Sequence, residues 1–173
     1  MHTQSKFRVL VVRLGAMGDI LHALPAVTAL RSVHPSWAID WLIEPAWRHL
    51  LTTANGSPAQ PLSSAQPLVN DMYLAPVKAW GRAPLALQTH REIGQLRTRL
   101  RAGRYDVVVD FQGAVRSAFL GRLAGARRLI GESEPREWVA RWLFSERVAT
   151  TGAHVIEQDM ELAAAVADRK SVV

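Results

Sequence analysis

The sequence predicts an α/β domain built on a parallel β-sheet with helices on both faces. Three observations carry that expectation: short apolar runs that read as buried strands, helically patterned segments between them, and a glycine turn directly after the first strand. Residues 7–13 (FRVLVVR) form a β-branched run bounded by polar and Gly-containing sequence, the mark of a strand buried on both faces. Residues 20–33 then place Ile20, Leu24, Val27 and Leu30 at helical spacing, with Pro25 expected to kink or restart the helix. Residues 38–44 (AIDWLIE) predict a second strand and residues 45–51 a short helix. The stretch 52–67 is rich in Pro, Ser, Gly and Asn and predicts a loop inside the domain, because neither flank alone could hold a core. A strand is expected over 69–76, and a helix over 85–101 with Ile93, Leu96 and Leu100 on one stripe and Arg91, Arg99 and Arg101 off it. Residues 105–111 (YDVVVDF) form another buried strand. Helix over 114–124, strand over 127–130, and helices over 135–144 and 154–167 complete a Rossmann-like alternation. In such sheets ligands bind beyond the carboxyl ends of the strands, which singles out the turns after Arg13, Glu44, Pro76 and Phe111.

Composition narrows the functional classes. The 173 residues suit a single domain over 1–173 with a real core. The absence of cysteine excludes disulfides, thiolate metal sites and a cysteine nucleophile, and fits a reducing compartment. The apolar run behind Lys6 and Arg8 is closed by Arg13 and is too short for a signal peptide or a membrane span, so an intracellular protein with at most peripheral membrane contact is expected. The net charge of +6 is concentrated: residues 78–131 carry eleven basic and three acidic side chains. Such an excess either steers an anionic partner or marks solvated Arg-rich helix faces. No nucleic-acid recognition motif accompanies it, and nucleic acid is not an expected partner. The six histidines show no H-E-x-x-H or comparable spacing, so neither a metal nor another cofactor is expected.

Two constellations carry chemistry. The turn Gly15-Ala16-Met17-Gly18-Asp19 lacks both the G-x-G-x-x-G spacing and a following Gly-Lys-Ser/Thr, which weakens nucleotide-binding readings. What remains is a strand, two glycines that let the backbone come close to a ligand, and a carboxylate at the start of a helix. Asp19 reads either as a helix N-cap or as a general base at the mouth of a cleft. The second constellation, residues 110–118 (DFQGAVRSA), is either a polar turn or part of the same site. His22, one turn into the first helix, is assigned to packing or solvent contact.

Together these segments resemble the lipopolysaccharide heptosyltransferases of glycosyltransferase family 9, from residue 7 to about residue 162. The resemblance rests on RVLVVRLGAMGDILHALPAVTALR (8–31), IDWLIE (39–44), YDVVVDFQGAVRSA (105–118), GESEPREW (131–138) and HVIEQDMEL (154–162). The D-x-Q-G-x-x-R-S-A pattern favours the heptosyltransferase I branch over heptosyltransferase II. The resemblance implies a GT-B architecture of two Rossmann-like domains. It also implies inverting transfer of L-glycero-D-manno-heptose from ADP-heptose to the Kdo sugar of Kdo-lipid A, at the cytoplasmic face of the inner membrane.

By the same resemblance, Asp19 matches the catalytic base, and Gly15, Ala16 and Gly18 form the turn beside it. Gly15 and Ala16 stand where relatives often carry Ser-Ser, so any hydroxyl contact there is lost. Lys78 and Arg82 around Trp80 match basic residues that hold acceptor phosphates and the Kdo carboxylate, with Trp80 available to stack on a sugar ring. Arg136 matches a further basic residue, and Gln112, Gly113, Arg116 and Ser117 the turn on the acceptor side of the cleft. Relatives are roughly twice this length, so the chain is expected to be an amino-terminal half without its donor-binding domain, and a weak catalyst or none by itself. Two other classes stay open: a non-catalytic module that binds an anionic glycolipid, and a nucleotide-binding regulatory domain of the same fold.

Overall fold

The computed structural model describes residues 6–53, 56–60 and 65–168. Six strands, β1 (Arg8–Val12), β2 (Ala38–Ile43), β3 (Asp71–Leu74), β4 (Val107–Asp110), β5 (Arg128–Glu132) and β6 (Glu146–Val148), form one sheet in the order β3-β2-β1-β4-β5-β6. Every pairing is parallel. This is the doubly wound order, in which the chain leaves β1 toward one edge, returns, and continues from β4 toward the other. The expected Rossmann-like α/β class is borne out.

Alternation along the strands separates two cores. Val9 and Val11 of β1 point with Ile39, Trp41, Val107 and Val109 to the face covered by α1 (Met17–Val33) and α5 (Val155–Ala167). Leu10 and Val12 point with Leu42 and Val108 to the opposite face, where residues of α3 (Leu87–Ala102) and α4 (Val115–Leu123) complete the packing. Two covered faces explain why β1 and β4 are mostly apolar and why β2 is buried at every position, Asp40 included.

The structure departs from the sequence reading at several places. The first helix begins at Met17, three residues early, and is not restarted at Pro25, which lies inside it at an exposed position. A short helix, α2 (Val77–Arg82), follows β3 where the sequence predicts no element, burying Val77 and Trp80. Residues 45–51 and 138–143 are 3₁₀ turns. Strand β6 is not predicted by the sequence pattern. The 52–67 loop is tied to the domain where described: Ala59 donates to the Leu51 carbonyl and Leu68 to that of Ala59. Residues 169–173, which look unlike the family, lie outside the described residues.

The amino-terminal end of the sheet is locked by buried polar pairs. Asp40, almost fully buried in β2, accepts from Arg8 (2.8 Å) and from the Tyr105 hydroxyl (2.7 Å). Burial holds the Tyr105 phenol well above its ordinary range. Arg31, fully buried at the end of α1, donates to the carbonyls of Pro35 and Trp37 and to Asn70 Oδ1, fastening α1 to the segment before β3.

Candidate functional site

At the carboxyl end of the sheet, β1 and β4 lie side by side with Val12 opposite Asp110. This pair is the point where the strand order reverses, and the turns leaving the two strands diverge to opposite sides and leave a crevice.

The β1 turn is held by its neighbours. Leu14 N–H donates to Gln112 Oε1 (2.8 Å), so the glutamine bridges the ends of β1 and β4. Glu44 N–H donates to the Leu14 carbonyl (3.1 Å), and the buried Trp41 indole donates to that of Arg13 (3.0 Å). Gly15 allows the Trp47 indole to close on the turn: a Cβ there would fall 2.6 Å from Trp47 Nε1.

Asp19 is the third residue of α1 rather than its N-cap, which is Ala16. Its Oδ2 accepts from Ala16 N–H (3.2 Å), and its Oδ1 lies 3.5 Å from Arg13 Nη2. One third of the side chain remains exposed. The helix start thus holds the carboxylate in one place without covering it.

The β4 turn is built around Asp110. Its carboxylate accepts from the backbone N–H groups of Gln112 (2.7 Å) and Gly113 (3.1 Å) and from the Ser117 hydroxyl (2.8 Å). Burial pushes the Asp110 carboxyl up to about 6 against these three donors, which favour the ionised form. Gly113 has φ +63°, and a Cβ there would lie 2.9 Å from Arg136 N. Its carbonyl accepts from Glu137 N–H (2.8 Å), so the loop carrying Arg136 is seated directly on this turn.

Two clefts meet at Asp19. The first, about 230 Å³, is bounded by the Gly15–Ala16 turn, Glu44, Trp47, Lys78, Gln112, Arg116 and Arg136. Lys78 Nζ lies 3.9 Å from the Glu44 carboxylate and 5.8 Å from the centre of the Trp47 ring. The second, about 360 Å³, is bounded by Arg13, Gln112, Glu132, Glu134, Arg136 and Asp159 of α5. Asp19, Gln112 and Arg136 are common to both. Burial raises the Asp159 carboxyl to about 7; Arg13 opposes the rise, and the charges of Glu132, Asp19 and Asp110 add to it.

Of the residues singled out in the sequence, the structure brings Asp19, Gly15, Ala16, Lys78, Gln112, Arg116 and Arg136 together around the first cleft. The other five, Trp80, Ser117, Gly113, Arg82 and Gly18, stand elsewhere. Trp80 is buried on α2 with its indole N–H donating to Glu92 (2.7 Å), so it offers no open ring face to a sugar. Ser117 is fully buried with its hydroxyl committed to Asp110. Gly113 shapes the turn beneath Arg136. Arg82 is exposed at the end of α2, off both clefts. Gly18 is exposed in the first turn of α1, and so is His22 one turn on. Most of the basic middle segment is a solvated face: Arg91, Arg97, Arg99 and Arg101 are exposed on α3.

The sequence reading missed Glu44, Trp47, Arg13 and Asp159. The first two follow β2, at one of the strand-end turns where a ligand is expected. Asp159 carried a signal of its own, since it falls with Leu162, Ala163 and Val166 on the buried stripe of its helix.

A doubly wound sheet with a carboxylate and a ring of cations at its switch point is a domain of the kind that builds GT-B glycosyltransferases. Residues 93–171 match the family model described as glycosyltransferase family 9 (heptosyltransferase). The chain is 29% identical over 158 residues to lipopolysaccharide heptosyltransferase 1 of Escherichia coli K12, covering 90% of this chain and 46% of that protein. It is 26% identical over 170 residues to the enzyme of the same name from Pseudomonas aeruginosa, covering 93% and 43%. The solved structure of E. coli heptosyltransferase WaaC with ADP-2-deoxy-2-fluoro heptose superposes with a TM-score of 0.77 at 28% identity, over 92% of this chain and 48% of that one. The family match, the relatives and the solved structure thus all show similarity to heptosyltransferases. The chain spans about half the length of the curated relatives it matches. Among the described residues no helix is long and apolar enough to cross a membrane.

Proposed function

We propose that this chain is the acceptor-binding half of a heptosyltransferase that builds the lipopolysaccharide core, with Asp19 as the general base. The observation that carries the reading is the position of Asp19 at the junction of two clefts, fixed by Ala16 N–H and flanked by Lys78, Arg116 and Arg136. The acceptor is the Kdo residue of Kdo-lipid A, whose carboxylate and phosphates suit these three cations, arginine offering paired donors in a planar fork. Trp47 supplies an apolar wall and Gln112 a fixed amide at the floor of the cleft. The donor is ADP-heptose, and a second Rossmann-like domain outside this chain holds most of it.

In the transfer, an acceptor hydroxyl attacks the anomeric carbon of the heptose from the face opposite ADP. The new carbon–oxygen bond forms as the bond to the phosphate oxygen breaks. The hydroxyl proton passes to the Asp19 carboxylate, ADP leaves with the bonding pair, and the configuration inverts. A positioned base of this kind contributes about 10² to 10⁴ in rate.

The test is a transfer assay with ADP-heptose and Kdo-lipid A, run on this chain alone and with a separately expressed carboxyl-terminal domain of a relative. Product in the complemented reaction, lost in Asp19→Asn, supports the reading. Acceptor binding without product in either reaction leaves a glycolipid-binding module.

A further inference from the structure

Beside the first cleft the molecule exposes four large apolar side chains. Trp138, Val139 and Trp142 lie on the 138–143 turn, each more than half exposed, and Phe119 lies on α4, against which this turn packs. A globular surface rarely leaves two neighbouring tryptophans in water without a use for them. Their rings meet edge to face with centroids 6.1 Å apart.

Cations interleave with these aromatics. The Arg141 guanidinium lies 6.0 Å from the Trp138 ring centre and 5.7 Å from that of Trp142, and Arg147 lies 5.8 Å from Trp142. Arg122 donates to the Leu143 carbonyl at the end of the same turn, and Arg116, Phe119 and Arg122 follow one another along the exposed side of α4. The nearby carboxylates are engaged: Glu137 accepts from Val115 N–H (2.8 Å), and Glu146 is paired with Arg128 (2.9 Å). The face is therefore aromatic and cationic at once.

We propose that this face docks on the surface of an anionic lipid bilayer, with Trp138, Trp142 and Phe119 entering the headgroup layer and Arg122, Arg141 and Arg147 pairing with lipid phosphates. Indole rings suit that boundary because they carry an apolar body and a polar N–H, and each arginine near an anionic bilayer adds attraction. Charge complementarity decides the occupant, since a bilayer presents phosphates along the whole row of guanidinium groups. Arg116 joins this face to the first cleft. Resting on the acceptor reading in this one respect, docking would set the cleft mouth at the membrane, where the headgroup of a lipid-anchored acceptor can enter while its acyl chains stay in the bilayer.

The test is sedimentation of the full chain with vesicles of phosphatidylglycerol and phosphatidylethanolamine, against phosphatidylcholine alone. No glycolipid is included, so capture by the cleft cannot mimic docking. Binding to the anionic vesicles that weakens with salt, with a blue shift of tryptophan fluorescence, is expected. Trp138→Ser/Trp142→Ser and Arg141→Glu/Arg147→Glu should each lower vesicle affinity by about tenfold or more, and circular dichroism should show both variants folded. Absence of vesicle binding overturns the proposal, as does equal binding by the folded variants. Self-association that these variants abolish, without vesicle binding, also overturns it and makes the face a protein interface. Transfer to a deacylated, water-soluble acceptor in the complemented assay should be unchanged in both variants, which separates failure of docking from failure of the catalytic reading.

Discussion

The two ends of the sheet use the same residue types for opposite purposes. At the amino-terminal end Asp40, Arg8, Tyr105, Arg31 and Asn70 are turned on one another, and their hydrogen bonds join elements of the domain. At the carboxyl-terminal end Asp19, Lys78, Arg116 and Arg136 line clefts, and only part of their capacity is taken internally. A buried polar group aimed inward specifies the fold, because leaving it unmet costs free energy. One aimed into a cleft holds its capacity for a ligand. Beneath the cleft residues, Asp110 with Ser117 and Gln112 does inside the turns what Asp40 does at the far end.

That contrast can be broken from either side. Asp40→Ala should be the largest stability change, about 3 kcal/mol, because it removes the partner of Arg8 and strands the buried Tyr105 hydroxyl. Thermal or urea unfolding reads the loss, and acceptor affinity per folded molecule should not change. Asp159→Asn tests the carboxyl end in the opposite sense. The native Asp159 keeps its proton up to about pH 7, whereas an unfolded aspartate releases it near 3.8. Wild-type stability therefore falls as pH rises between those values, and the variant should match wild type at pH 4 and exceed it at pH 8 by on the order of 2 kcal/mol. Unfolding curves at the two pH values decide this. Arg136→Ala should weaken binding of Kdo-lipid A by about tenfold while shifting unfolding little, since its side chain is exposed and touches the cleft rather than the core. Calorimetric titration with the acceptor measures it.

The sequence made the centre of the fold legible and its margins less so. β1 and β4 are doubly covered, and that burial demands the apolar runs that make them legible, whereas β2, with Asp40 in its middle, is legible by alternation. β6 has three residues, alternates with charges and lies at the sheet edge, so it left no such run. α2 was hidden because Pro76, Gly81 and Pro84 mimic loop sequence, while Val77 and Trp80 supply too short a stripe to announce a helix. At the site, Asp19 and the Asp110–Ser117 turn were visible as local patterns following strands. What a pattern could not show is direction. Ser117 and Gly113 face inward to build the turn, Trp80 packs on its own side of the sheet, and Asp159 reaches the cleft from a helix 140 residues after Asp19.

The central claim is that Asp19 takes the proton of the attacking hydroxyl. The most direct measurement is the single-turnover rate of heptose transfer for Asp19→Asn in the reaction complemented with a carboxyl-terminal domain, alongside its affinity for Kdo-lipid A. A rate lower by about 10² to 10⁴ with acceptor affinity retained is the predicted result. Transfer at the wild-type rate by a folded Asp19→Asn chain would contradict it.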